Sequence, residues 1–317
     1  MDALADVLTT ARLGGAVFAR TAPRAPWGMA FAASPMAGFH IVVHGTCYLS
    51  VADGSDVTAE LHQGDVVLLC HGSPHTVCSA QNVRARPFGE ILRARTDPEA
   101  DLVFGGNGAS TVLVCGGYHF APDRAHPLLD ILPPLIHIHT AEARAGHDLA
   151  LLIELLSREV ARRLIGAETL TNRLVDALFV YVLRAWLEVQ PDGTAGWLGA
   201  LRDPAIGRAL TLIHRQPAHP WSVESLAKQV ARSRSGFAQR FLLLTGETPH
   251  RYLTKLRVDR AAQLLRDTDD SILQIAIVVG YANEQSLGKA FERRYQLAPG
   301  QYRRRHRQAA QEGNSDS

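Results

Sequence analysis

His40, His44 and His75, together with the chain's four cysteines, are the side chains most able to do chemistry in the first 115 residues. His40 and His44 lie four residues apart, so on a β-strand they share a parity and could face the same side as His75. Imidazoles on one face would suit a divalent transition metal, provided each had a second partner for its other ring nitrogen. Cys47, Cys70, Cys78 and Cys115 have no zinc-finger spacing and are expected to be free thiols in a reducing compartment. Cys47 and Cys115 are the candidates for sensing an oxidant or electrophile. An interior histidine is more often a hydrogen-bonded core residue than a ligand, so no metal is expected. His40, His44, Cys47, His75 and Cys115 are therefore read as candidate effector-sensing residues.

The elements that would position them are short. Between about Val17 and Tyr118, apolar or alternating runs at Phe39 to Val43, Cys47 to Val51, Val66 to Cys70 and Val112 to Cys115 are separated by turn residues. Those turns fall at Ala52-Asp53-Gly54, Gln63-Gly64-Asp65 and Gly105-Gly106-Asn107-Gly108. This pattern predicts a small β-barrel or sandwich. Phe120 to His139 reads as an extended connection leaving it.

A second chemistry is written into the carboxy-terminal third, where one structural unit occurs twice. Leu226-Ala227, Ala231, Ser233, Phe237, Phe241, Gly246, Pro249 and Tyr252 recur as Ile275-Ala276, Gly280, Asn283, Leu287, Phe291, Gln296, Pro299 and Tyr302. The spacing is 49 residues for Ala227 and Ala276 and 50 for Phe241 and Phe291, so one residue is inserted in the second turn. Ser222 and Ser271 begin helices as N-caps, small residues allow close crossing, and Ser233 or Asn283 caps the next helix. Two short helices joined by a tight turn predict a helix-turn-helix in each copy. Tyr252 to Leu265 predicts one amphipathic helix between them.

If Phe237 and Phe241 face inward, Arg234, Ser235, Ala238 and Gln239 face outward, where Gln pairs with adenine edges and Arg with guanine or phosphate. The matching second set is Glu284, Gln285, Gly288 and Lys289. Arg240, Arg293, Arg303 and Arg304 are expected at phosphates or in solvent. Charge is segregated in the same way. Residues 204–307 hold 18 Lys and Arg against 8 Asp and Glu, a net +10 in a chain whose total is +2, leaving −8 elsewhere.

The segments WSVESLAKQVARSRSGFAQRFLLLTGETPHRYLTKLRVDRAAQLL and SILQIAIVVGYANEQSLGKAFERRYQLAPGQYRR resemble the DNA-binding domain of AraC/XylS-type transcription regulators. The resemblance covers about a third of the chain. It implies two modules placed in successive major-groove segments of double-stranded DNA by the linking helix. Gln296 stands where the family has Gly, and Leu287-Gly288 where it has an aromatic and a polar residue. A less helical, weaker second recognition helix is therefore expected.

Gly64 to His75 resembles the second motif of cupins, with Cys70 in place of the usual Pro. That likeness implies a jelly roll, and its pairing with the DNA-binding domain resembles the cupin-type AraC regulators, as does Asp130-Ile131-Leu132-Pro133-Pro134-Leu135. Aligned on the cupin pattern, Gly38 falls where a metal-binding Glu would stand, and Met29 to Ala37 contains no His. The usual metal set is thus missing, which favours a regulator over the alternative of a metal-dependent cupin enzyme tethered to DNA.

The expected fold is α+β and multidomain. It has a cupin-like sensor domain over 1–145, a helical linker and dimerisation region over 146–192, and an all-α domain with two helix-turn-helix motifs over 203–307. A disordered tail over 308–317 completes it. Helices are predicted over Asp148 to Leu164 and Thr169 to Val189, the latter with Leu170, Leu174, Leu178, Val182 and Trp186 on one face. Asp203-Pro204 starts the next helix, and Gly193 to Leu201 is the expected hinge. The start of the chain lacks a basic region followed by an apolar run, and no stretch approaches the about 18 apolar residues that would span a membrane. A cytoplasmic homodimer, acting with RNA polymerase and a small-molecule or redox effector, is expected.

Overall fold

A computed structural model describes residues 14–52, 57–97, 100–119, 132–140, 146–162, 164–190 and 197–312. The chain forms two compact units that divide between Pro191 and Asp192. In the first, the strands are β1 (Gly14–Thr21), β2 (Gly28–Phe31), β3 (Ala37–His44), β4 (Cys47–Val51), β5 (Val57–Leu61), β6 (Val66–Leu69) and β7 (His75–Cys78). After them come β8 (Arg86–Pro87), α1 (Phe88–Arg93), β9 (Val112–His119) and β10 (Leu135–Ile138). They build two five-stranded sheets, ordered β1-β9-β3-β6-β10 and β5-β4-β7-β2-β8. Val42, Val67 and Leu113 from one sheet share a core with Met29, Leu49 and Val77 from the other. Alternation along each strand sends these residues inward, which is the two-sheet packing expected of a jelly roll.

The expected extended connection is partly a strand. Leu135 to Ile138 pair antiparallel with β6, Leu135 against Leu69 and Ile138 against Val66. Ile136 and Ile138 are buried, and such burial outweighs the two prolines that precede the strand. Residues 120–131 of that connection, Pro122 and Pro127 included, lie outside the described residues.

Helices α2 (Gly146–Arg162) and α3 (Ala167–Val189) belong to this same unit rather than to a separate linker. The Tyr118 hydroxyl donates to Val175 O at 2.9 Å, and Gly15 N–H donates to Asp176 at 3.1 Å. The buried face of α3 is Thr171, Val175, Leu178, Phe179, Val182 and Ala185, while Leu170 of the expected stripe is 43% exposed. Packing of Phe179 on Tyr118, with ring centroids 5.0 Å apart, sets that rotation. Apolar residues surround most of this helix, so periodicity could not choose the face.

The second unit is helical: α4 (Trp197–Arg202), α5 (Pro204–Arg215), α6 (Val223–Gln229), α7 (Arg234–Thr245), α8 (Pro249–Asp267), α9 (Ile272–Val279), α10 (Glu284–Tyr295) and α11 (Pro299–Glu312). Residues 197–201 of the expected hinge are helical, within α4, which packs on α5 and α7, so the compact unit starts before Asp203; residues 193–196 lie outside the described residues. Residues 308–312, assigned to the tail, extend α11; 313–317 lie outside the described residues. Caps fall where the sequence placed them. Asp203 accepts from Ala205 N–H and Ile206 N–H, both at 3.0 Å, and Ser222 and Ser271 form capping boxes with Ser225 and Gln274. Among the described residues no helix is long and apolar enough to cross a membrane.

Candidate functional site

The two helix-turn-helix copies match hydrogen bond by hydrogen bond. At the end of α6, Ala231 takes a left-handed φ of 52° while Arg232 N–H donates to Ala227 O at 3.0 Å. At the end of α9, Gly280 takes φ 94° while Tyr281 N–H donates to Ala276 O at 2.8 Å. Both are the turn in which a left-handed residue lets the chain satisfy the last carbonyls of a helix. In the second copy the inserted residue follows, and Ser233 or Asn283 then caps a recognition helix of 12 residues in either copy.

Phe237, Phe241 and Leu244 are buried on α7, and Leu287 and Phe291 on α10. The opposite faces expose Arg234, Ser235, Gln239 and Arg240 in the first copy and Glu284, Gln285, Lys289 and Arg293 in the second; Ala238 and Gly288 are half-buried. The expected loss of helicity in the second copy does not occur. α10 runs unbroken through Gly288, and Gln296 itself adopts the left-handed cap at φ 56°. Burying Leu287 and Phe291 outweighs the propensity cost of about 1 kcal/mol for one glycine.

Two of the expected phosphate contacts have other work. Arg240 Nε donates to Asp203 at 2.9 Å, tying α7 to the cap of α5. Arg303 Nε donates to Leu265 O at 3.2 Å and its Nη2 to Asp270 O at 2.6 Å, closing the end of α8. Arg303 is thereby spent on backbone carbonyls, a long-range pairing invisible in the sequence. Arg293 and Arg304 are exposed. The linking helix α8 is fastened to α5 and to α10: His214 and the Tyr252 hydroxyl lie 2.7 Å apart, and Asp259 accepts from Arg294 Nη2 at 2.8 Å and the Tyr295 hydroxyl at 2.9 Å.

Inside the barrel the histidines part company. A bulge between Val42 and His44 shifts the register of β3 on β9, so the expected shared parity is lost and His44 is exposed. His40 and His75 do meet, with Nε2 atoms 2.8 Å apart. Carbonyl chemistry fixes the proton order. His75 Nδ1–H donates to Ser73 O at 2.8 Å, so its Nε2 is the acceptor for His40 Nε2–H. His40 Nδ1 is then the acceptor for the Cys115 thiol at 3.1 Å. Burial, then the neighbouring His75, holds His40 well below its ordinary range, and burial lowers His75 against the pull of the Ser73 carbonyl. Burial also raises Cys115 and takes Cys47 up to about 12, with Asp65 and Cys78 adding to the latter. These thiols are neutral, unlike a low-pKa sensor thiolate.

Phe31 stacks on His75 with centroids 4.7 Å apart, and a cavity of about 70 Å³ lies beside the pair, lined by Phe18, Phe31, Met36, Gly38 and Cys115. A metal of the cupin kind does not fit here. His40 meets Cys115 through Nδ1 but His75 through Nε2, so no single atom of His40 faces both neighbours, and Gly38 supplies no carboxylate. A separate cluster brings Asp65 together with His137 and His139, whose His-x-His spacing on a short β-prone run is its only signal in the sequence.

Residues 2–188 match the family described as Cupin, and residues 226–305 match the family described as Helix-turn-helix domain. The chain is 34% identical over 304 residues to an AraC-like transcription regulator of Streptomyces antibioticus, covering 96% of this chain and 99% of the relative. It is 31% identical over 306 residues to the HTH-type transcriptional regulator AlkR of Acinetobacter baylyi, again covering 96% and 99%. Among solved structures it is similar to the DNA-binding domain of AdpA in complex with a target DNA, at 30% identity, a TM-score of 0.33, and coverage of 34% of this chain and 96% of that one. With both domains and the relatives agreeing over nearly its whole length, the chain belongs to the AraC-type transcription regulators: a DNA-binding regulator with a cupin amino-terminal domain.

Proposed function

We propose that this regulator is a one-component switch, in which a small and mostly apolar effector bound beside His40 and His75 changes how the two helix-turn-helix modules engage double-stranded DNA. The observation that carries this reading is the cavity next to a buried hydrogen-bonded chain, Cys115 to His40 to His75 to Ser73. Apolar walls with one polar corner are the usual make-up of a ligand site. The neutral, buried thiols argue against a redox signal, and the missing carboxylate at Gly38 argues against catalysis through a metal. Exposed Leu151 and Leu155, one turn apart on α2, and exposed Leu170 on α3 support a homodimer through these helices. Such a dimer would work in the cytoplasm, through RNA polymerase, on paired half-sites.

Base reading falls to Arg234, Ser235, Ala238 and Gln239 in the first module and Glu284, Gln285 and Lys289 in the second, with Arg293 and Arg304 at phosphates. Genome-wide mapping of bound sites supplies the operator, and anisotropy titrations at fixed salt then test the roles. Gln239→Ala should relax preference at one base pair by about 1–3 kcal/mol. Arg304→Ala should weaken every duplex alike and reduce the salt slope by about one. Equal losses on cognate and altered operators for both variants would reject the assignment. For the effector, Gly38→Val fills the cavity, since a Cβ at Gly38 would stand 4.0 Å from His75 Cε1. A reporter that still answers its inducer normally in this variant would reject the cavity as the site.

A further inference from the structure

We propose that Asp65, His137 and His139 form a binding site for a divalent first-row transition metal, with zinc the member best suited to two imidazoles and one carboxylate. The site is separate from the cavity beside His40 and does not depend on the effector reading. His137 Nε2 lies 3.0 Å from Asp65 Oδ2, and His139 Nδ1 lies 3.2 Å from the same carboxylate. One ligand atom from each residue can be chosen so that all lie within 4.8 Å of one another. Ligands held about 2.0–2.1 Å from a tetrahedral zinc stand about 3.3 Å apart, so each imidazole–carboxylate separation is already close to that of a shared ion.

The sheet builds this convergence. β10 pairs with β6 so that His137 faces Val67 and Ile138 faces Val66, which carries His139 to Asp65 at the start of β6. The two-residue alternation of a strand gives His137 and His139 the same side. Asp65 is almost fully buried, and His62 N–H donates to its Oδ2 at 2.9 Å. The Thr140 hydroxyl donates to Gly64 O at 3.0 Å and fixes the chain on the other flank. Outer contacts of this kind orient metal ligands. His139 is 44% exposed at its side chain, so the remaining coordination position opens to water. Two imidazoles and a carboxylate suit zinc, copper, nickel or iron rather than calcium or magnesium. An ion held there would cross-link β10 to β6.

Tag-free, full-length protein stripped with a chelator and titrated with Co²⁺ and Zn²⁺ tests the proposal. We expect one ion per chain, visible absorption on Co²⁺ binding that Zn²⁺ abolishes, and a melting temperature of the amino-terminal unit that rises with metal. His139→Ala, at an exposed position, should keep the fold by circular dichroism and lower metal affinity at least about tenfold. His44→Ala, at an exposed histidine outside the cluster, should leave it unchanged. Absence of stoichiometric binding, or binding that His139→Ala leaves intact, would overturn the site. Neither result touches DNA binding, which is measured separately.

Discussion

The two helix-turn-helix copies solve the same geometric problem with glycine in opposite places. Each needs two left-handed residues, one closing its first helix and one closing its recognition helix. The first copy uses Ala231 (φ 52°) and Gly246 (φ 76°); the second uses Gly280 (φ 94°) and Gln296 (φ 56°). A side chain in that region costs about 1–2 kcal/mol, so each module carries one strained and one relaxed closure. The choice follows from surroundings. A Cβ at Gly280 would stand 2.7 Å from Ala218 Cα, whereas nothing lies within 4 Å of a Cβ at Gly246. Glycine is obligatory only where both the dihedral and the neighbouring backbone demand it.

The buried aromatic at the shared position should produce the largest effect. Phe241 meets Tyr252 edge to face at 5.8 Å, and Phe291 meets Tyr302 at 5.2 Å. Phe241→Ala and Phe291→Ala should each cost about 3–5 kcal/mol by denaturant unfolding. A loss below about 1 kcal/mol in either copy would show that its core is not equivalent. Next, Gly280→Ala should cost more than the about 1–2 kcal/mol of the dihedral alone, and more than Gly246→Ala; equal losses would refute the role given to Ala218.

Both recognition helices are tied to a carboxylate, α7 to Asp203 through Arg240 and α10 to Asp259 through Arg294, but the two carboxyls shift in opposite directions, burial winning at Asp259 and raising it. Burial works against ionisation of Asp203, but hydrogen bonds from Ile206 N–H, Arg240 and Ala205 N–H win and hold its carboxyl below the usual range. Its contribution is complete above the ordinary carboxylate value of about 4 and lost as pH falls through the depressed folded value. Asp203→Ala should therefore cost about 1–2 kcal/mol at neutral pH and progressively less in acid, while Asn283→Ala costs a similar amount at both. The smallest effect is a gain: Ala231→Gly and Gln296→Gly should each stabilise by up to about 1 kcal/mol, seen as a shift in the denaturant midpoint without a change in slope.

Much of the carboxy-terminal unit was legible because its signals are local. A serine cap acts on a backbone N–H three residues on, as Ser271 does on Gln274, and a helical stripe repeats within one turn. The 49- and 50-residue spacings then required two copies of whatever one copy is. The barrel was less legible: its strands were found as runs, but the partners of each histidine were set by strands far away in the chain.

The sequence by itself determined the paired helix-turn-helix units, their caps, the basic charge they carry and the short-stranded β class of the first unit, since each depends on residues within reach of one another; the jelly roll was implied only by the cupin resemblance. Only the tertiary structure decided that a bulge turns His44 to solvent while His40 joins His75, that Arg303 closes α8, and that β10 brings His137 and His139 to Asp65. A one-residue shift of strand register reverses every side chain's face, and no local pattern records which register the sheet adopts.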